Sequence, residues 1–310
     1  MQLFKFATQI QSEQPVASII ISVALMLIAG FLLTRVTKLL RLPNVTAYIV
    51  AGILIGPYCL NLVPQRFIDG TSFLSDIALA FIAFSTGEFF KLDVLKKNGM
   101  KVVWITVFES VLASLLVFVL TFFILHMDLA FSIVLSALAS APASTMMTIR
   151  QTGAKGDFVD TLLQVVALDD VVGLVLYSVA ISIALASLSG SQGFSFQTIG
   201  KPILLNMLTL FIGACFGLAM KLFMPQSRST DNKLIISVAL LFAFCGVCVL
   251  LDVSPLLGCM IMGTVYTNIA ENDKLFKQLG YFSPPILLLF FVRSGMNFKL
   301  DALFNASGDL

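Results

Sequence analysis

Two adjacent acids, Asp169 and Asp170, stand inside an apolar run, Leu168-Asp169-Asp170-Val171. A charged side chain at that depth of a membrane helix costs about 2.5–3.5 kcal/mol or more and is normally kept for function. Neighbouring carboxylates in a poorly solvated place repel, which favours a proton on one of them, and a nearby cation reverses that preference. Such a pair can therefore hold either protons or a cation. Hard monovalent cations take oxygen ligands, so Na⁺, Li⁺ or K⁺ would compete with H⁺ for the same atoms, and competition of that kind is the chemistry of exchange.

Further polar groups fall at matching depths. The run Ser136-Ala137-Leu138-Ala139-Ser140-Ala141-Pro142-Ala143-Ser144-Thr145 puts a proline and several hydroxyls in the middle of an apolar segment. Proline removes a helix hydrogen bond and frees a carbonyl, and Ser or Thr supplements it. Two readings stand: an ordinary kink at Pro142, or an unwound stretch in which Ser140, Ala141, Ser144 and Thr145 offer oxygens to a cation. Arg293 lies in another apolar run at a similar depth and requires a carboxylate, with Asp169 or Asp170 the candidates. Glu88 and Glu109 are weaker candidates, the first close to a helix end and the second about 12 Å inside its helix.

The elements that must carry these groups are membrane helices. Of the 310 residues 58% are hydrophobic and only 12% charged, and mean hydropathy is +0.99, far from the roughly 25% charge of soluble domains. The expected fold is an all-α polytopic membrane protein of about ten helices, at about 16–34, 44–62, 72–90, 102–125, 129–149, 158–188, 199–224, 234–251, 255–270 and 281–297. Asp169 and Asp170 then lie about 15–18 Å from the start of the sixth span, near the middle of a ~30 Å hydrocarbon core. The first span lacks a small-residue cleavage site and reads as a retained helix.

Nineteen basic and seventeen acidic residues are too balanced and scattered for a nucleic-acid surface. Five cysteines in apolar runs and a solitary His126 argue against a disulfide framework or a zinc site, and no cofactor is expected. Cys245 and Cys248 share a helix face and read as small packing residues. With ten spans, fourteen basic residues fall on one side of the membrane and four on the other, with Arg293 inside a span. The rich side is cytoplasmic by the positive-inside rule, which places the N-terminus outside.

The chain also resembles itself. Leu40-Arg41-Leu42-Pro43 through Ala51-Gly52 aligns with Leu251-Asp252-Val253-Ser254 through Met262-Gly263. Gly87 through Phe90-Lys91-Leu92-Asp93 and Leu95 aligns with Gly295 through Phe298-Lys299-Leu300-Asp301 and Leu303. The copies are displaced by an odd number of crossings, so the two halves are expected to be inverted, a build shared by many secondary transporters. The expected organisation is one transmembrane domain with a first repeat at about 16–188, a linker helix at about 199–224 and a partial second repeat at about 234–303. Counterparts of the fourth to sixth spans are expected beyond Leu310, so the second repeat reads as incomplete, with a natural ten-helix variant as the alternative.

Leu42-Pro43 with Tyr48 through Pro57, Gly87-Glu88, Ala141-Pro142-Ala143 and Ala167-Leu168-Asp169-Asp170 together resemble the monovalent cation:proton antiporter superfamily in its bacterial sodium/proton exchanger branch. The resemblance runs from about Ala17 to Asp301, and the acid pair is its most specific element. It implies inverted repeats forming a dimerisation region and a mobile core, two broken helices crossing near the acids, a homodimer, and a bacterial inner-membrane location. It also implies Asp170 as the main cation and proton carboxylate, with Asp169 paired to the basic residue at Arg293. Two positions depart from the family pattern: Ser140-Ala141-Pro142 stands where Thr-Asp-Pro is frequent, and Arg293 stands where lysine is typical. Arginine cannot release a proton at ordinary pH.

The leading expectation is a secondary transporter exchanging Na⁺, or Li⁺ or K⁺, for protons by alternating access. A sodium-coupled solute symporter and an incomplete, inactive membrane subunit are the alternatives. The expected partners are the cation, the proton and the lipid bilayer.

Overall fold

The computed structural model describes residues 15–40, 42–139, 143–188, 196–225, 229–270 and 274–298. All regular structure among them is helical. In chain order the α-helices are α1 (Pro15–Leu39), α2 (Asn44–Ile55), α3 (Gln65–Gly70), α4 (Phe73–Thr86), α5 (Leu92–Val119), α6 (Leu129–Ala137), α7 (Ala143–Thr152), α8 (Asp157–Leu188), α9 (Phe196–Phe223), α10 (Thr230–Leu250), α11 (Leu256–Ile269), α12 (Lys274–Phe282) and α13 (Pro284–Met296). A 3₁₀ turn, Gly87–Phe89, follows α4, and a π turn, Leu120–Ile124, extends α5.

Among the described residues, four stretches are long and apolar enough to cross a bilayer: Val16–Leu39, Gly99–Ile124, Leu204–Phe223 and Thr230–Leu250. A fifth arises if α12 and α13, bent by 48° at Ser283, are one span. Large apolar side chains stand exposed along them, among them Ile20, Phe31 and Phe211. Hydrocarbon is the solvent such surfaces suit, and a helix satisfies its backbone there without water.

Several helices are shorter than the apolar runs that contain them. The run at 44–62 is helical only to Ile55; Gly56-Pro57 then turns the chain, and the amides of Leu62 and Asn61 return to the carbonyls of Ile55 and Gly56 at 3.0 and 2.8 Å. The run at 129–149 holds two helices. Asp128 caps the first, accepting from the Ala130 amide at 3.0 Å, and that helix ends at Ala137, with α7 beginning at Ala143. Ser140, Ala141 and Pro142, where the sequence puts the break, lie outside the described residues.

The chain divides into two compact units, residues 1–78 with 280–310, and residues 79–279. In the first, α1, α2 and α13 pack around Met26, Ala51, Ile55, Leu288, Val292 and Met296. Burying such side chains stabilises by about 1.5–3 kcal/mol each. Gly52 and Gly295 bring α2 and α13 into backbone contact: a Cβ at Gly52 would collide with the Val292 carbonyl, and one at Gly295 with the Ile49 carbonyl. In the second unit α11 meets the end of α4 in the same way. A Cβ at Gly263 would collide with the Phe84 carbonyl, and one at Gly87 would lie 2.5 Å from the Met260 oxygen. Close approach of this kind is what small residues permit in membrane helix pairs.

The second unit also fixes where α5 begins. The Asn268 carboxamide donates to the Phe90 and Thr264 carbonyls, each at 2.7 Å, and accepts from the Leu92 amide at 2.8 Å. Phe84 stacks on Phe276 at 5.2 Å between centroids, joining α4 to α12. The 3₁₀ turn and the first turn of α5 are thereby held against α11.

Candidate functional site

Within the second unit, α5, α7 and α8 enclose a cavity of about 600 Å³. Lys101, Ile105 and Glu109 come from α5, spaced by one helical turn and so on one face. Helix α8 contributes Asp157 and Phe158, Thr161 and Leu162, Val165 and Val166, and then Asp169, again at helical spacing. Thr145 of α7 completes the lining. Asp157 opens α8, and Asp169 sits about 18 Å further along its axis.

Asp169 is 1% exposed. Ser110, itself fully buried on α5, donates its hydroxyl to Asp169 Oδ1. The second oxygen, Oδ2, is buried with no hydrogen-bond partner among the described residues. The Glu109 carboxyl interacts with that of Asp169. A buried carboxylate oxygen without a donor is costly, and a proton or a cation would satisfy it.

The candidates from the sequence divide into groups. Glu109, Thr145 and Asp169 meet at this cavity. Asp170 is a helical residue of α8, and Ser144 of α7, while their side chains lie outside the description, as do Ser140, Ala141 and Pro142 altogether. Glu88 is partly buried in the 3₁₀ turn after α4. Arg293 belongs to the first unit, where its Nε and Nη2 donate to the Ile68 carbonyl at 3.2 and 2.9 Å and its Nη1 to Ser75 Oγ at 3.0 Å. It thus caps the last turn of α3, whose terminal carbonyls attract a cation.

Ser110 and Gln164 are additions that sequence reasoning missed. Ser110 adjoins Glu109 in the run Phe108-Glu109-Ser110-Val111, so a polar doublet on an apolar helix was the available signal. Gln164, 3% exposed with an unpartnered Oε1, precedes the acid pair on α8.

A family model described as sodium/hydrogen exchanger, transmembrane, matches residues 16–310. No curated protein matches the chain. The match takes in α1 through α13, including the acid-lined cavity and the apolar spans, and it makes the protein a transporter and not an enzyme. The chain belongs to the sodium/hydrogen exchanger transmembrane family.

Proposed function

We propose that this protein exchanges Na⁺, or Li⁺ or K⁺, for protons, with Asp169 and Asp170 as the carboxylates that bind them in turn. The observation that carries the reading is Asp169 Oδ2, buried and without a donor at the deep end of an acid-lined cavity. In the proton-loaded state a carboxyl O–H supplies what that oxygen lacks. An arriving cation takes the carboxylate oxygens as ligands, the O–H bond breaks, and the proton leaves through cavity water. Two loads that exclude one another at one set of oxygens give obligatory exchange when the site then faces the other side.

Asp170 is the principal carrier in this reading, and Asp169 is its neighbour, held by Ser110. Oxygens of Ser140, Ala141, Ser144 and Thr145 complete the cation shell in this reading, and Thr145 of α7 lines the cavity. The cavity opens on the cytoplasmic side of a bacterial inner membrane, as the fourteen-to-four division of basic residues supports. The matching glycine contacts of α2 with α13 and of α11 with the end of α4 support an inverted repeat. Working units are homodimers with about ten spans per chain and the N-terminus outside.

Everted vesicles with an acid interior and a pH-sensitive dye test the proposal. Addition of Na⁺ should alkalinise the lumen, and the Asp170→Asn protein, equally inserted, should not respond. Exchange unchanged in Asp170→Asn removes that residue from the mechanism. Sodium-driven solute uptake without proton movement would establish symport instead.

A further inference from the structure

Glu109 stands between the cavity and the buried acid. It lies one residue before Ser110, the donor to Asp169 Oδ1, so the turn of α5 that anchors Asp169 also presents a second carboxyl to it. Glu109 lines the cavity, whereas Asp169 is sealed from solvent apart from its cavity face. Two carboxyls that share one apolar-walled cavity repel when both carry charge, and one proton or one cation between them removes the repulsion. Asp169 Oδ2, which lacks a donor, is the atom such a shared proton or cation would serve.

We propose that Glu109 and Asp169 form a carboxyl pair through which the load enters and leaves, Glu109 being the intermediate ligand between cavity water and the buried acids. This rests on the exchange reading above. In the proton-loaded state Glu109 O–H donates to Asp169 Oδ2. When a monovalent cation reaches the cavity, the Glu109 O–H bond breaks, the proton passes to cavity water, and the freed carboxylate together with Oδ2 ligates the cation. The step moves one proton out and one cation in, with no change of oxidation state. The other titratable groups facing Glu109 among the described lining residues are Asp157 of α8, at the far end of the cavity, and Lys101, two turns earlier on α5. Thr145 is the neutral oxygen donor opposite.

Two measurements on the full chain test the pair. A hydrophobic carbodiimide modifies protonated carboxyls in apolar pockets, and peptide mapping by mass spectrometry reads the site in purified protein. Glu109 should be modified, with Na⁺ lowering the yield several-fold and choline leaving it unchanged; no modification, or modification indifferent to Na⁺, overturns the proposal. In vesicles, Glu109→Gln should keep exchange but raise the apparent KM for Na⁺ about tenfold and flatten its dependence on pH, with Glu109→Asp restoring both. A Glu109→Gln protein matching the parent in KM and pH profile overturns the proposal, as does one that is inactive at every pH and not rescued by Glu109→Asp. The labelling experiment does not depend on transport. Sodium-protected Glu109 in a parent that exchanges nothing would therefore defeat the exchange reading and leave the pair standing.

Discussion

Gly52 and Gly295 touch so closely that each excludes a Cβ from the other: the methyl of an alanine at either one would strike the carbonyl three residues before its partner. Gly263 and Gly87 repeat the relation, striking the carbonyls of Phe84 and Met260. Self-alignment of the sequence equates Gly52 with Gly263 and Gly295 with Gly87. One interface geometry therefore occurs once in each compact unit.

Gly52→Ala should lower stability by about 1–3 kcal/mol, because the colliding atom is backbone and cannot turn aside. Gly263→Ala should cost a similar amount. Gly246, with open space around it in α10, is the control: its alanine variant should be neutral or gain up to about 1 kcal/mol from helix propensity. Melting temperatures in detergent decide the matter, and equal effects at Gly52 and Gly246 would refute the contact.

Arg293→Ala should leave the Ile68 carbonyl and Ser75 without their donor and destabilise the protein by about 1.5–3 kcal/mol. Lysine should recover only part, since it lacks the planar fork that serves Ile68 and Ser75 together. The pH profile of exchange should keep its shape. A variant of unchanged stability whose profile moves would instead make Arg293 a charge partner of the acids.

Ser110→Ala removes the donor to Asp169 Oδ1. Loss of a hydrogen bond to a buried charged group is worth about 1.5–3 kcal/mol, so the exchange rate should fall by about tenfold or more while insertion stays normal. Ser110→Thr keeps the hydroxyl and should retain much of the rate. An alanine variant as fast as the parent would show that Asp169 needs no anchor from α5.

Asn268→Leu should release the start of α5 from α11, with the Leu92 amide and the Phe90 carbonyl losing their partners together. A loss of about 2–3 kcal/mol is expected from those groups, accompanied by faster hydrogen exchange at residues 90–92. Protection unchanged there would mean that the carboxamide does not hold the junction.

Composition and apolar runs make the membrane helices legible, and the run at 129–149 holds two of them, α6 and α7, with Pro142 itself outside the described residues. Depth along an axis is also readable, since it needs only the rise per residue. Rotation about the axis is harder to read. Glu109 and Ser110 share a depth, yet successive residues differ by about 100°, and only packing of α5 on α8 decides that Ser110 grips Asp169 while Glu109 lines the cavity. Arg293 poses a related problem. Its depth suggests an acid partner, but the carbonyl it caps belongs to α3, a helix of six residues without a strong apolar signature.

The cavity wall mixes polar and apolar side chains along its length. From Asp157 the face of α8 passes Thr161, then Val165 and Val166, before Asp169, and Ile105 on α5 separates Lys101 from Glu109. In the exchange reading proposed above, an ion travelling inward trades water for the oxygens of Asp157, Thr161, Thr145, Glu109 and Asp169. Hydration cost, which grows as ions become smaller, is in that reading set against oxygens spaced about one or two helical turns apart along α8, so the wall leading to the acids, and not the acids alone, enters the ranking of cations.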